Sequence, residues 1–126
     1  MAPPVRSLID RGVIVSAGSD FQNGPSSSDN PFIPIYFYVT RKTSNGEVVD
    51  PSEKITRAEA LRVSTYNYAY MTFEEKLKGS LEPGKLADFL ILSDDILTVP
   101  EEKILSIRPL ATYIGGRQVY GEAKPF

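Results

Sequence analysis

Residues 79–92 read GSLEPGKLADFLIL, and no other stretch restricts the fold as much. Pro83-Gly84 is a turn pair, and residues 88–92, DFLIL, have the apolar character of a strand. Further on, residues 109–114 and 117–120 flank Gly115-Gly116, a two-residue hairpin signal. Before residue 79 the dominant signals are helical. The chain is therefore expected to change architecture there, with residues 1–78 forming one unit and residues 79–126 a strand-rich second one.

Residues 5–11 suit a short helix that Gly12 ends, because glycine accepts the left-handed cap conformation. Val13-Ile14-Val15 follows, a β-branched run of the kind found in strands buried on both faces. Helix, glycine, strand and polar loop is the rhythm of a β/α-barrel unit, so the expected class is α/β. Such a strand expects a neighbour on each side, and open edges invite self-association. Residues 31–40, PFIPIYFYVT, have strand-like composition. Asn30 as N-cap with Pro31 at the first helical position argues for a helix instead. Asn45-Gly46 marks a turn. Thr56-x-x-Glu59 is a capping box that predicts a helix over 57–73. Leu61, Thr65, Tyr68, Ala69 and Thr72 would share its packed face. Residues 100–104 suit a short helical turn.

The 126 residues fit one domain and carry 14 basic and 16 acidic side chains, a net charge of −2 without a strong charged run. Nucleic acid and anionic membrane are poor partners for such a surface. No stretch approaches the ~20 apolar residues of a membrane span. The lack of cysteine excludes disulfides and thiolate chemistry and suits a cytoplasmic location. The lack of histidine weighs more. It removes the commonest general base and the commonest zinc ligand, so no Ser-His-Asp triad and no HxH metal motif can form within the chain.

Among the residues that remain, Asp20 stands out. It follows an apolar run and a Gly-Ser pair, which puts a carboxylate at the C-terminal end of an expected strand, where β/α barrels locate their chemistry. Capping of the following loop is the plainer alternative. Arg41 at the end of the second helix suits an ion pair, a contact to a substrate carboxylate, or a solvated helix terminus. Phe32, Tyr36, Phe37 and Tyr38 would line a pocket or pack internally. Gly79, Gly84 and Lys85 do not have phosphate-loop spacing, because Leu86 follows the lysine. Asp94-Asp95 reads as a solvated turn rather than a calcium contact.

Several segments, in order, resemble the metal-dependent amidohydrolases, in particular the N-substituted formamide deformylase-like subgroup. They are Val15-Ser16-Ala17-Gly18-Ser19-Asp20, Val39-Thr40-Arg41 with Gly46, Ile55-Thr56-Arg57-Ala58-Glu59-Ala60-Leu61 leading to Thr65, residues 79–92, and a closing hairpin at residues 112–120. The resemblance implies a C-terminal fragment of a β/α-barrel hydrolase: the last barrel strand and helices, then strands of a small β-sandwich. It implies action on non-peptide C–N bonds of a small molecule with a divalent metal, zinc by expectation. Asp20 would be the metal-site residue that takes a proton from the attacking water, and Arg41 a substrate or supporting residue. Phe21 stands where the family often has tryptophan, which puts the substrate pocket in doubt more than the fold.

The implied histidine ligands lie outside this chain. One aspartate is too few ligands for a catalytic zinc, so the isolated chain is expected to bind no catalytic metal and to be inactive. The expected partners are a missing N-terminal barrel segment or a second copy. The alternative is a non-catalytic assembly module derived from such an enzyme, and a weaker one is a small ligand-binding domain.

Overall fold

The computed structural model describes residues 2–18 and 30–121. Helices α1 (Val5–Asp10), α2 (Phe32–Thr40), α3 (Arg57–Ser64) and α4 (Tyr66–Met71) come first. Strands β1 (Phe89–Leu92), β2 (Pro109–Ile114) and β3 (Arg117–Gly121) form one antiparallel sheet in the order β1-β2-β3.

Local chemistry sets most helix ends. Past α1, Gly12 has φ 76° and donates its N–H to the Ile9 carbonyl, while Val13 N–H reaches the Leu8 carbonyl. This paired arrangement is a Schellman cap, and it satisfies two orphan carbonyls of α1. At the start of α2, Asn30 Oδ1 accepts the Phe32 N–H at 2.9 Å, which is the capping role expected of Asn30. The helix reading of residues 31–40 therefore holds over the strand-like composition. The Thr56–Glu59 capping box forms as expected, each side chain accepting from the other residue's backbone N–H.

The core is assembled from distant parts of the chain. Val5 of α1, Phe32, Ile35 and Val39 of α2, Ile55, and Ala60 and Val63 of α3 are all buried together. Ile96, Ile104 and Ile107 join the same cluster from the connection between β1 and β2, which includes a 3-10 helix at Glu101–Ser106. Each such valine, isoleucine or phenylalanine side chain, fully buried, contributes about 1.5–3 kcal/mol. A second tie fixes α1 from its polar side. Glu53, in the 3-10 helix Pro51–Glu53, accepts from both the Ser7 N–H and the Ser7 hydroxyl.

Three expectations need correction. Val13-Ile14-Val15 is not a strand, and Val13 and Ile14 are 48% and 53% exposed. A strand is defined by its pairing, and among the described residues no other strand lies beside this run. The only parallel unit anticipated for the α/β class is thus absent there, and helices are followed by an antiparallel sheet. The helix expected over 57–73 is broken at Thr65, whose φ of −127° and ψ of −87° separate α3 from α4. Two features accompany the break. The Thr65 hydroxyl donates to the Leu61 carbonyl at 2.7 Å, competing with the backbone ladder. Gly79 also packs closely against the junction: a Cβ there would lie 2.7 Å from Ala69 Cβ and 3.1 Å from Tyr66 Cα. The packed face also differs from the expected one. Ala60, Val63, Asn67 and Ala69 are buried, while Thr65, Tyr68 and Thr72 are exposed.

The sheet matches its sequence signals closely. Gly115-Gly116 joins β2 to β3, and β1 pairs with β2 in the register Phe89↔Tyr113. These two rings stack at 4.5 Å with planes 8° apart. On the opposite face Leu90, Leu110, Ile114 and Tyr120 remain exposed.

Candidate functional site

The chain from α1 to residue 18 leads toward Asp20, which itself lies outside the described residues. Beyond the Val13 bond to Leu8, the described contacts of this approach come from the α3–α4 side. Ala17 N–H donates to the Val63 carbonyl at 3.3 Å, and Asn67 Nδ2 donates to the Val15 carbonyl at 2.8 Å. Val63 ends the buried stripe of α3, and Asn67 sits one turn beyond it across the Thr65 break. Asn67 is a buried amide that sequence reasoning did not single out. Its signal was its place four residues after Val63, which puts a polar group on an otherwise apolar face.

Between α1, residues 13 and 14, and the α3–α4 junction lies an open cleft of ≈ 240 Å³. Ile9, Val13 and Ile14 line one side, and Val63, Tyr66 and Asn67 the other. Glu59 and Arg62 also line it. Glu59 is held by Arg6, whose Nη1 lies 2.7 Å from Oε1. That hydrogen bond, followed by the Thr56 backbone N–H, holds the Glu59 carboxyl below the ordinary glutamate range. Arg62 lies over the Tyr66 ring at 4.4 Å.

Arg41 is enclosed, with none of its surface exposed. It caps α2 in the left-handed conformation at φ 59°. Its Nε donates to the Val49 carbonyl and its Nη1 to the Pro3 carbonyl, both at 3.0 Å. Nη2 lies 3.6 Å from Asp50 Oδ2, and the guanidinium sits 4.7 Å from the Phe37 ring centroid. The side chain therefore ties the start of the chain to the loop after α2, and it is not a solvated helix-end charge. Burial pushes the neighbouring Tyr38 phenol upward, with the charge of Arg41 opposing.

The other sequence candidates find local roles. Phe32 is buried, and Tyr36 and Tyr38 pack against the core. Asp95 accepts the Leu97 N–H and the Thr98 hydroxyl, as a turn residue does. Lys85 Nζ bonds Ser80 Oγ at 2.7 Å and Glu82 Oε1 at 3.1 Å, and lies 5.2 Å from the Tyr66 ring centroid.

The described residues do not fit a self-contained metal centre. The chain has no histidine, and among the described residues no three Asp or Glu side chains converge. No described helix is long and apolar enough to cross a membrane.

Comparison with known proteins supplies the wider frame. A profile described as the amidohydrolase family matches residues 1–120. The N-substituted formamide deformylase of Arthrobacter pascens is 35% identical over 113 residues, which is 90% of this chain and 20% of the relative. Protein LONG AFTER FAR-RED 3 of Arabidopsis thaliana is 37% identical over 118 residues, 91% of this chain and 19% of the relative. The crystal structure of an amidohydrolase from Thermotoga maritima MSB8 has a similar fold, with a TM-score of 0.50 and 20% identity. It aligns with 94% of this chain and 34% of its own. The chain thus spans about a fifth of the curated relatives it matches.

Proposed function

Because this chain belongs to the amidohydrolase family, we propose that it is the C-terminal part of a metal-dependent enzyme acting on non-peptide C–N bonds, inactive by itself. The match over residues 1–120 carries this reading. It is supported by the deformylase relative, which resembles nearly all of this chain while exceeding it about fivefold in length. The proposed inactivity rests on the lack of histidine in the sequence. The metal, zinc by proposal, would be held mainly by residues of another segment, and no step of the reaction is assigned to this chain through it.

Asp20 is the one residue proposed to meet that metal. For Arg41, full enclosure and two bonds to backbone carbonyls favour the supporting role over direct substrate contact. The substrate is proposed to be a small amide-like molecule, and the location cytoplasmic.

The test uses a complete enzyme that contains this segment. Asp20→Asn is expected to abolish hydrolysis of an N-substituted formamide while leaving the thermal midpoint unchanged. Retained turnover would remove Asp20 from the chemistry. Turnover by the 126-residue chain alone would overturn the inactivity.

A further inference from the structure

The chain has four asparagines, and two of them, Asn23 and Asn45, precede glycine. Asn23 lies outside the described residues. Asn45-Gly46 forms the tip of the excursion between α2 and the 3-10 helix Pro51–Glu53. Gly46 N–H donates to the Thr43 carbonyl at 3.0 Å and Thr43 N–H to the Glu47 carbonyl at 2.9 Å, and Lys42 pairs with Val48 in an isolated antiparallel bridge. Ser44, Asn45, Gly46, Glu47 and Val48 are exposed, and the Asn45 carboxamide has no hydrogen-bond partner among the described residues. A Cβ at Gly46 would meet nothing within 4 Å, so no neighbour crowds the tip there. The remaining asparagines are placed differently. Asn30 accepts the Phe32 N–H and donates to the Leu105 carbonyl, and Pro31 after it has no N–H. Asn67 is buried inside α4 and donates to the Val15 carbonyl.

A free carboxamide beside an unhindered backbone nitrogen is what an intramolecular ring closure needs, since the two reacting groups are already joined. We propose that Asn45-Gly46 is a self-modifying site, at which the Gly46 nitrogen displaces ammonia from the Asn45 carboxamide and solvent water opens the resulting ring to leave aspartate or isoaspartate. The Gly46 nitrogen gives up its proton and attacks Asn45 Cγ. A Cγ–N bond forms, closing a succinimide, and the Cγ–Nδ2 bond breaks, with Nδ2 taking the proton and leaving as ammonia. Water then adds to either ring carbonyl. Cleavage of the new Cγ–N bond restores the ordinary main chain with aspartate, and cleavage at the Asn45 carbonyl carbon routes the main chain through Cγ as isoaspartate. One water is consumed, one ammonia is released, and the net charge of −2 becomes one unit more negative. The bond from Gly46 N–H to Thr43 must open first, and an exposed loop tip opens at little free-energy cost. Isoaspartate lengthens the main chain by one atom between Thr43 and Glu47, so the Thr43–Glu47 bond is lost. The Arg41 Nε bond to the Val49 carbonyl lies outside the altered span and is kept.

The experiment holds the purified 126-residue chain at mildly alkaline pH, where the attacking nitrogen loses its proton more readily. Samples taken over time are digested, and mass spectrometry of separated peptides reads aspartyl and isoaspartyl products at each asparagine. Position 45 is expected to convert to both products while Asn30 and Asn67 keep their amides. Its rate in the folded chain is expected to lie within about tenfold of the rate in guanidinium, because the tip opens cheaply. A folded-state rate slower than that, or conversion of Asn30 or Asn67 at the pace of Asn45, would overturn the proposal. Asn45→Gln moves the carboxamide one carbon further from the Gly46 nitrogen and is expected to slow conversion by about tenfold or more at an unchanged thermal midpoint. Conversion at the parent rate in that variant would assign the reaction to direct hydrolysis and overturn ring closure. Amide hydrogen exchange reads the consequence. The isoaspartyl chain should lose protection at Thr43 N–H, while Asn45→Asp, which has the charge without the longer main chain, should keep it. Equal protection in the two would overturn the opening of the turn.

Discussion

In the helical part Val5, Ala60, Val63 and Ile104 are each at most 1% exposed, whereas in the sheet Ala111 and Tyr113 are the buried residues and Leu90, Leu110, Ile114 and Tyr120 stand 43–60% exposed. The two regions also differ in how they are joined. The helical core draws on residues from 5 to 107, so its contacts span nearly the whole chain. The sheet is a meander held by neighbouring strands and a tight hairpin. The contrast teaches that helices and the β1–β2 connection cohere as a packed body, while the sheet satisfies its backbone and leaves an apolar face uncovered. A sheet normally buries such a face against another layer.

Substitutions can break or sharpen this contrast. Ile104→Ala empties a fully buried site that links the β1–β2 connection to the helices, and should cost about 3 kcal/mol of unfolding free energy measured by denaturant titration. Loss of less than about 1 kcal/mol would mean that the connection is not part of the helical core. Phe89→Ala removes the stack on Tyr113 and should cost about 2 kcal/mol. Its effect should be regional: hydrogen exchange should rise in β1 and β2, while α2 and α3 keep their protection. Equal acceleration in the helices would erase the distinction between the regions.

Glu59→Gln tests the polar edge of the helical part and should cost about 1 kcal/mol near neutral pH. The Glu59 carboxyl titrates below its ordinary range because Arg6 and the Thr56 N–H bond its charged form. Its stabilising contribution is therefore full above the ordinary glutamate pKa and is lost as pH falls through the depressed one. Thermal midpoints measured down the acid range should converge for the parent and the Gln variant. A constant gap across that range would assign the cost to packing rather than charge. The smallest effect is expected at Phe73, which is 94% exposed and held at φ 61°. Phe73→Gly should relieve that conformation and raise stability by about 0.5 kcal/mol. A loss instead would reveal packing by this ring in solution.

The features legible in the sequence were those completed within a few residues. The Thr56–Glu59 box, the Gly12 cap, the Asn30 cap and the Gly115-Gly116 hairpin each close a hydrogen bond or turn locally, so residue type alone decided them. The break at Thr65 was not legible, because Gly79, which packs closely against the junction, arrives from outside the helix. The enclosure of Arg41 was equally hidden. Its carbonyl partners at Pro3 and Val49 carry no signal in their own residue types. Of the candidate site, the sequence marked Asp20 and the run before it, but not Asn67 or the cleft, which exist only once α1 meets the α3–α4 junction.

By itself the sequence determined the family, the helix caps at Gly12, Asn30 and Thr56, the closing hairpin, and the absence of any histidine, since each depends on residue identity or on neighbours along the chain. Tertiary structure alone decided the rest: that Val13-Ile14-Val15 does not become a strand, that Arg41 turns inward, and that Ile104 belongs with the helices. The physical reason is the same in all three cases. Pairing, enclosure and packing are properties of what lies alongside a residue in space, and a β-branched run carries the propensity for a ladder without the partner that would complete it.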